Sequence, residues 1–188
     1  ICESEGVAAE PSALHVIAQK ADGGLRDALS LFDKIVSYTG KKVTYHDVIT
    51  NLNILDHDYY FKITEYFMLE DSSSVLNAFN EIINNGFDGE MFLLGMAEHF
   101  RNLLISKDEK TVQLLEAADD IKDKYFKQAN LVNETFLLNA LNVINQCDIE
   151  YKTAKNKRLH VELALLKVCF LNTQIENTLS VILGEKKN

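Results

Sequence analysis

Residues Ala21 to Asp33 read A-D-G-G-L-R-D-A-L-S-L-F-D. The paired glycines, Gly23 and Gly24, separate two segments whose apolar residues recur every three or four positions, the spacing of one helix face. Upstream, Ala13, Leu14, Ile17, Ala18 and Ala21 follow Pro11-Ser12, a helix-start signal. Downstream, Leu25, Ala28, Leu29, Phe32, Ile35 and Val36 form a second stripe that ends near Gly40. The stretch is therefore a helix stop followed at once by a helix start, with Arg26 on the opening turn of the second helix.

The same punctuation runs through the chain. Among 188 residues there is one proline, Pro11, and only eight glycines. A chain so poor in turn residues is expected to be all-α. Thr44 and Asp47 bracket a capping-box-like opening, with Asp where Glu or Gln is usual, for a short third helix through Leu52. These helices predict a small three-helix unit over residues 11–54, and the N-terminal domain is drawn as residues 1–54. After a break at Leu55-Asp-His-Asp58 the helices lengthen. The first covers Tyr59 to Leu69. Ser72 is the expected cap of the next, which ends at Asn85-Gly86. Asp88 caps a helix with the stripe Phe92, Met96, Phe100 and Leu103 or Leu104. Weaker helical segments lie between Val112 and Ala129. Asn133 caps a helix carrying Phe136, Leu137, Ala140, Leu141, Ile144 and Cys147. A last segment runs from Lys157 to Leu183, with Leu159, Glu162, Leu163, Leu166 and Phe170 stepping along it and a break near Asn172-Thr173. That makes about nine helices, with residues 55–188 as a larger helical bundle.

Composition narrows the function classes. Lys and Arg total 19 against 28 Asp and Glu, a net charge of −9. Such a chain is poorly suited to coating nucleic acid, which needs clustered cations to release counterions. Hydrophobic residues at 47% predict a packed core rather than disorder. Cys2, Cys147 and Cys169 are far apart and form no C-x-x-C pair, and Cys147 and Cys169, within apolar patterns, read as buried reduced thiols of a cytoplasmic protein. There is no signal peptide pattern and no apolar run of membrane-spanning length. Ile1 at the start and the polar Gly184-Glu-Lys-Lys-Asn188 at the end read as the edges of a piece cut from a longer protein.

No catalytic or metal constellation stands out. The sequence lacks G-x-x-x-x-G-K-[ST], H-E-x-x-H and G-x-S-x-G. His15, His46, His57, His99 and His160 never pair at i, i+4. Asp56-His57-Asp58 reads as a solvated hinge, and Asp119-Asp120 likewise. Arg26 has two readings: a plain surface cation, or an anion-binding group. The second draws on its unusual place, since the helix dipole disfavours a cation in the first turn and Asp27 offsets that only in part. Unpaired N–H groups of that turn beside a guanidinium make a good phosphate site. Gly24 is a tolerable N-cap that lets the backbone come close.

G-G-L-R-D-A-L-S-L-F-D resembles the sensor-2 motif of the AAA+ clamp loader ATPases, in particular the gamma/tau subunits of bacterial DNA polymerase III, whose pattern is G-S-x-R-D-A-L-S-L-x-D. Ala13-Leu-His-Val-Ile-Ala18 also fits. Farther on, Arg158-Leu-His-Val-Glu162-Leu-Ala-Leu-Leu166-Lys167 resembles the R-x-x-x-E-x-x-L-L-[RK] helix of the third domain of those subunits. The likeness covers residues 5–172. Gly24 stands where the family has Ser, at a cost of a few tenths of a kcal/mol, roughly, and the residues after Leu171 match no pattern.

The resemblance implies an AAA+ lid followed by a helical collar that assembles subunits. It implies that Arg26 contacts the γ-phosphate of ATP, with Mg, held mainly by a domain outside this chain, and that Leu25 lies near the adenine. It implies as partners the delta, delta prime and further gamma/tau subunits, with the sliding clamp and primed DNA reached only through the full assembly, and no activity for this piece alone. Arg158 and Glu162, spaced i, i+4 in the weaker cation-first order, read either as a structural pair or as an intersubunit contact. Two other readings stand beside this one: the lid and C-terminal domain of an AAA+ ATPase of recombination or repair, and a freestanding helical scaffold.

Overall fold

The computed structural model describes residues 2–52, 54–115 and 117–173. The described chain is helical apart from one short strand pair, in agreement with the all-α expectation. It groups into two compact units: Ile1–Asp56 with Glu116–Ile121, and His57–Leu115 with the residues from Lys122 on.

The first unit contains α1 (Cys2–Glu5), α2 (Pro11–Lys20), α3 (Leu25–Thr39) and α4 (Tyr45–Asn51). Pro11 occupies the first turn of α2, where its missing N–H costs nothing. α4 opens on the expected capping box. Thr44 Oγ1 accepts from Asp47 N, and Asp47 Oδ2 accepts from Thr44 N at 3.0 Å. Those hydrogen bonds hold the Asp47 carboxyl below its ordinary pKa. Two two-residue strands, β1 (Ala8–Ala9) and β2 (Lys42–Val43), pair in parallel. Nothing in the hydrophobic pattern announces so short a pairing, because it is fixed by two long-range backbone bonds, Ala8 N to Lys41 O and Glu10 N to Val43 O. The core of the unit contains Ala13, Val16, Ile17, Phe32, Ile35, Val43 and Val48. Three stripe members expected inside are outside. Leu14 and Ala18 are exposed and Val16 takes the inward place on α2, while Leu25 is 72% exposed at the start of α3.

The second unit is built from α5 (His57–Met68), α6 (Ser72–Asn84), α7 (Gly89–Ile105), α8 (Asp119–Leu131, whose first residues group with the first unit), α9 (Glu134–Tyr151) and α10 (Lys157–Cys169), with a 3-10 turn at Val112–Leu114. The described residues thus hold ten α-helices, not nine. The N-cap of α6 is Asp71, whose carboxylate accepts from Ser74 N, and the expected cap Ser72 is the first helical residue. Asp88 and Asn133 cap α7 and α9 as expected, accepting from Met91 N and Thr135 N. Asn85 ends α6, with Gly86 at φ +90°. His57 and Asp58 are not a hinge but the first turn of α5, and Asp58 meets Lys124 at 2.7 Å.

α7 and α9 pack along each other, and α10 lies on α9 and α6. Phe67, Phe79, Phe92, Phe100 and Phe136 are fully buried among them. The thiols of Cys147 and Cys169 are inside, and burial pushes both up to about 11, which keeps them protonated. One polar cluster crosses this core. Gln128 Nε2 donates to Phe61 O at 2.8 Å, which turns Gln128 Oε1 towards His99 Nε2 at 3.1 Å. Nε2 therefore carries the imidazole proton, and Nδ1 accepts from Tyr125 Oη at 3.2 Å. Desolvation pushes His99 down to about 3, so the ring is neutral.

The last segment departs most from expectation. α10 buries Val161, Ala164, Leu165, Val168 and Cys169. Leu159, Leu163 and Phe170, expected on the packed stripe, are 48%, 49% and 41% exposed. The helix stops at Cys169, and the expected continuation to Leu183 lies outside the described residues beyond Thr173.

Candidate functional site: the turn that carries Arg26

The α2–α3 connection is a local solution to reversing the chain in four residues. Ala21 N donates to Ile17 O at 3.1 Å and closes α2. Asp22 and Gly23 then take φ values of +46° and +76°. The left-handed region costs an L-residue about 1 kcal/mol or more, and glycine at the second position avoids paying it twice. Gly24 returns to extended backbone (φ −76°, ψ 105°) as the N-cap of α3, its N–H bonded to Ala21 O at 2.8 Å.

No side chain caps α3. The i→i−4 ladder starts with Ala28 N to Gly24 O at 2.9 Å, so the N–H groups of Leu25, Arg26 and Asp27 precede it. All three side chains are exposed. The Asp27 carboxylate lies beside the cap, its Oδ2 2.8 Å from the place a Gly24 Cβ would occupy. The Arg26 guanidinium makes no hydrogen bond or ion pair among the described residues, and its carbonyl accepts from Ser30 Oγ at 2.9 Å. Farther along α3, Phe32 and Ile35 are buried in the unit's core. One end of the helix is clamped and the other presents a cation, an apolar side chain and unpaired donors to the outside. Chemically, that end suits an anionic ligand with an apolar part.

Arg158 and Glu162 lie in the other compact unit. Arg158 Nε donates to Glu162 Oε1 at 2.8 Å, and its NH2 donates to Asn80 Oδ1 on α6 at 2.8 Å. The pair is engaged within its own unit, bracing α10 against α6, while half of the Arg158 side chain stays exposed. No group of three His, Cys, Asp or Glu side chains close enough to hold a metal ion occurs among the described residues. No helix among them is long and apolar enough to cross a membrane.

Residues 1–41 match the family described as the ATPase lid domain of a DNA polymerase III clamp loader subunit. Residues 43–181, most of the chain, match domain III of the DNA polymerase III subunits gamma and tau. The chain belongs to that gamma and tau family. Among its relatives is the tau subunit of DNA polymerase III from Bacillus subtilis, 25% identical over 169 residues. That alignment covers 90% of this chain and 30% of the relative. The tau subunit from Escherichia coli is 33% identical over 96 residues, covering 51% of this chain and 15% of the relative. The chain therefore spans under a third of these relatives. The delta protein of the Bacillus subtilis DNA clamp loader has a similar fold, with a TM-score of 0.56 at 18% identity over 89% of this chain and 53% of that one. Arg26 and Leu25 fall within the lid, and Arg158 and Glu162 within domain III.

Sequence reading missed the second apolar face of α10. The signal was present in the chain: Val161, Ala164, Leu165 and Val168 make a stripe as regular as the one through Leu159 and Leu163, and a helix apolar on two sides has two surfaces to cover.

Proposed function

We propose that this chain is the lid and collar of an ATP-driven loader that opens a sliding clamp and places it on primed DNA in the cytoplasm. The lid comprises residues 1–54 and the collar residues 55–188. Arg26 reads the nucleotide. In the whole protein, ATP with Mg is held by another domain, and the α3 N-terminus closes over it. The guanidinium meets the γ-phosphate, while Leu25 rests near the base. After hydrolysis and phosphate release that contact is gone, and the lid angle follows. The collar joins this subunit to delta, delta prime and further gamma/tau copies.

The observation that supports this reading best is the exposed, unpaired Arg26 on an uncapped helix start inside a clamp loader lid. A structural cation would be expected to find a carboxylate or to sit at a helix C-terminus. Arg26 does neither among the described residues.

The decisive experiment is Arg26→Ala in the full-length subunit. Expression, folding and incorporation into the loader should be unchanged. ATP-driven clamp loading should fall by about 10²-fold or more, the scale of losing one charge-stabilising donor. Loading at the parent rate would remove the sensor role. The 188-residue chain by itself should show no ATP turnover, which a purified-protein phosphate-release assay checks.

A further inference from the structure

α10 ends at Cys169, and the backbone is helical again over residues 171–173. That new turn is capped from far along the chain. Thr173 N and Thr173 Oγ1 donate to Glu70 Oε1 at 3.1 and 2.6 Å, so a carboxylate satisfies an N–H of a first helical turn, where negative charge is favoured. Glu70 directly follows Met68 and Leu69, which form one end of a groove between α5 and α8, about 760 Å³ in volume. Phe61, Leu131 and Val132 continue its apolar lining, and Leu69 and Leu131 are 75% and 79% exposed. Asp58 and Lys124 lie at the other end.

The sequence that follows Thr173 fits this groove in pattern, length and charge. Leu171 is buried, and steps of 4, 4 and 3 carry its helical face to Ile175, Leu179 and Ile182, with Asn177 and Gly184 on the opposite side. Among the apolar residues, Val181 falls away from that face. Thr173 to Leu183 is ten helical steps, about 15 Å, and Leu69 back to Asp58 is eleven, about 16 Å. Residues 174–184 carry a single charge, Glu176. The groove walls carry Asp58, Lys62 and Glu65 on α5, and Lys124 and Lys127 on α8. Asp58 and Lys124 already pair at 2.7 Å, and Lys62 lies over the Tyr66 ring. Lys62 and Lys127 against Glu65 leave the walls net positive, the sign that receives Glu176.

We propose that residues 174–183 seat as a helix in the α5–α8 groove of their own unit, running from Leu69 back towards Asp58. The Thr173–Glu70 contact delivers the segment to the groove mouth, so its local concentration there is on the order of millimolar, which a separate chain has to exceed or out-bind. Seated, the segment covers Leu69 and Leu131 and closes this face to other proteins. The seat is independent of the loader reading above.

Thiol labelling of the purified 188-residue chain in a Cys2→Ser background tests it. With L131C in place, a maleimide should react at least tenfold faster once Leu179→Glu is added, because the glutamate expels the segment from the groove. The milder Leu179→Ala should give an intermediate rate, and Asn177→Glu, on the outward side, should leave the rate unchanged. L94C, on the exposed face of α7, should react at one rate in all these backgrounds, which shows that the unit stays folded. If Leu179→Glu also changes the rate at L94C, the comparison rests on Leu179→Ala. Equal rates at L131C with and without the Leu179 substitutions overturn the seat. Protection of L131C that fades on dilution assigns the groove to a second copy, and protection that needs another loader subunit assigns it to a partner. Either result also overturns the seat.

Discussion

A methyl group at Gly95 would have nowhere to go. A Cβ there would lie 2.0 Å from Tyr60 Oη and 2.5 Å from its Cζ, and Tyr60 is itself buried. Gly95 lets α7 approach α5 closely enough for the phenol to lie across its backbone. Gly95→Ala should therefore destabilise the chain by about 1–3 kcal/mol, the range for overpacking, despite the better helix propensity of alanine. Urea unfolding of the second unit measures this, and an unchanged midpoint would mean that Tyr60 has somewhere else to sit. Gly23 is constrained differently, by φ +76° with open space around it. Gly23→Ala should cost about 1 kcal/mol through the backbone alone. Arg26 was legible at this scale, because a helix stop, a turn and a helix start are local and their residues are consecutive.

At the scale of elements, caps and faces part company. The caps at Thr44, Asp88 and Asn133 fall where the sequence puts them because each is a bond between neighbours three residues apart or fewer. Thr44→Ala should lose about 1 kcal/mol, measured as a lower thermal midpoint. The inward face of α10 is not a neighbour relation. Both of its stripes are apolar, and α9 and α6 select the one through Val161 and Leu165. Leu165→Ala should then cost about 2–5 kcal/mol, as expected for a filled core site. Leu163→Ala, at a half-exposed site, should cost about 0.5 kcal/mol or less. Equal losses in paired denaturation curves would reverse the assignment of faces.

At the scale of the whole molecule, the buried polar cluster ties stability to pH. His99 is neutral in the folded state, pushed down to about 3 by burial, against 6.5 when unfolded. A lowered folded pKa means that the unfolded chain binds the extra proton. Stability from this group is complete above about pH 6.5 and is lost as pH falls towards 3, by up to about 1.4 kcal/mol per pH unit. The His99 imidazole resonances should stay those of the neutral Nε2–H tautomer to below pH 5, with the unfolding free energy falling over the same range. A ring that titrates near 6.5 in the folded chain would disprove the burial argument. By itself the sequence determined the helical class, most of the element positions, the Arg26 turn and the family likeness, since those follow from periodicity, turn residues and short motifs. Tertiary structure decided which face of α10 is buried, the β1–β2 pairing and the His99 cluster. Each of these depends on residues distant in the chain being brought together, and a pattern of local spacings carries no record of which distant surface an apolar face will meet.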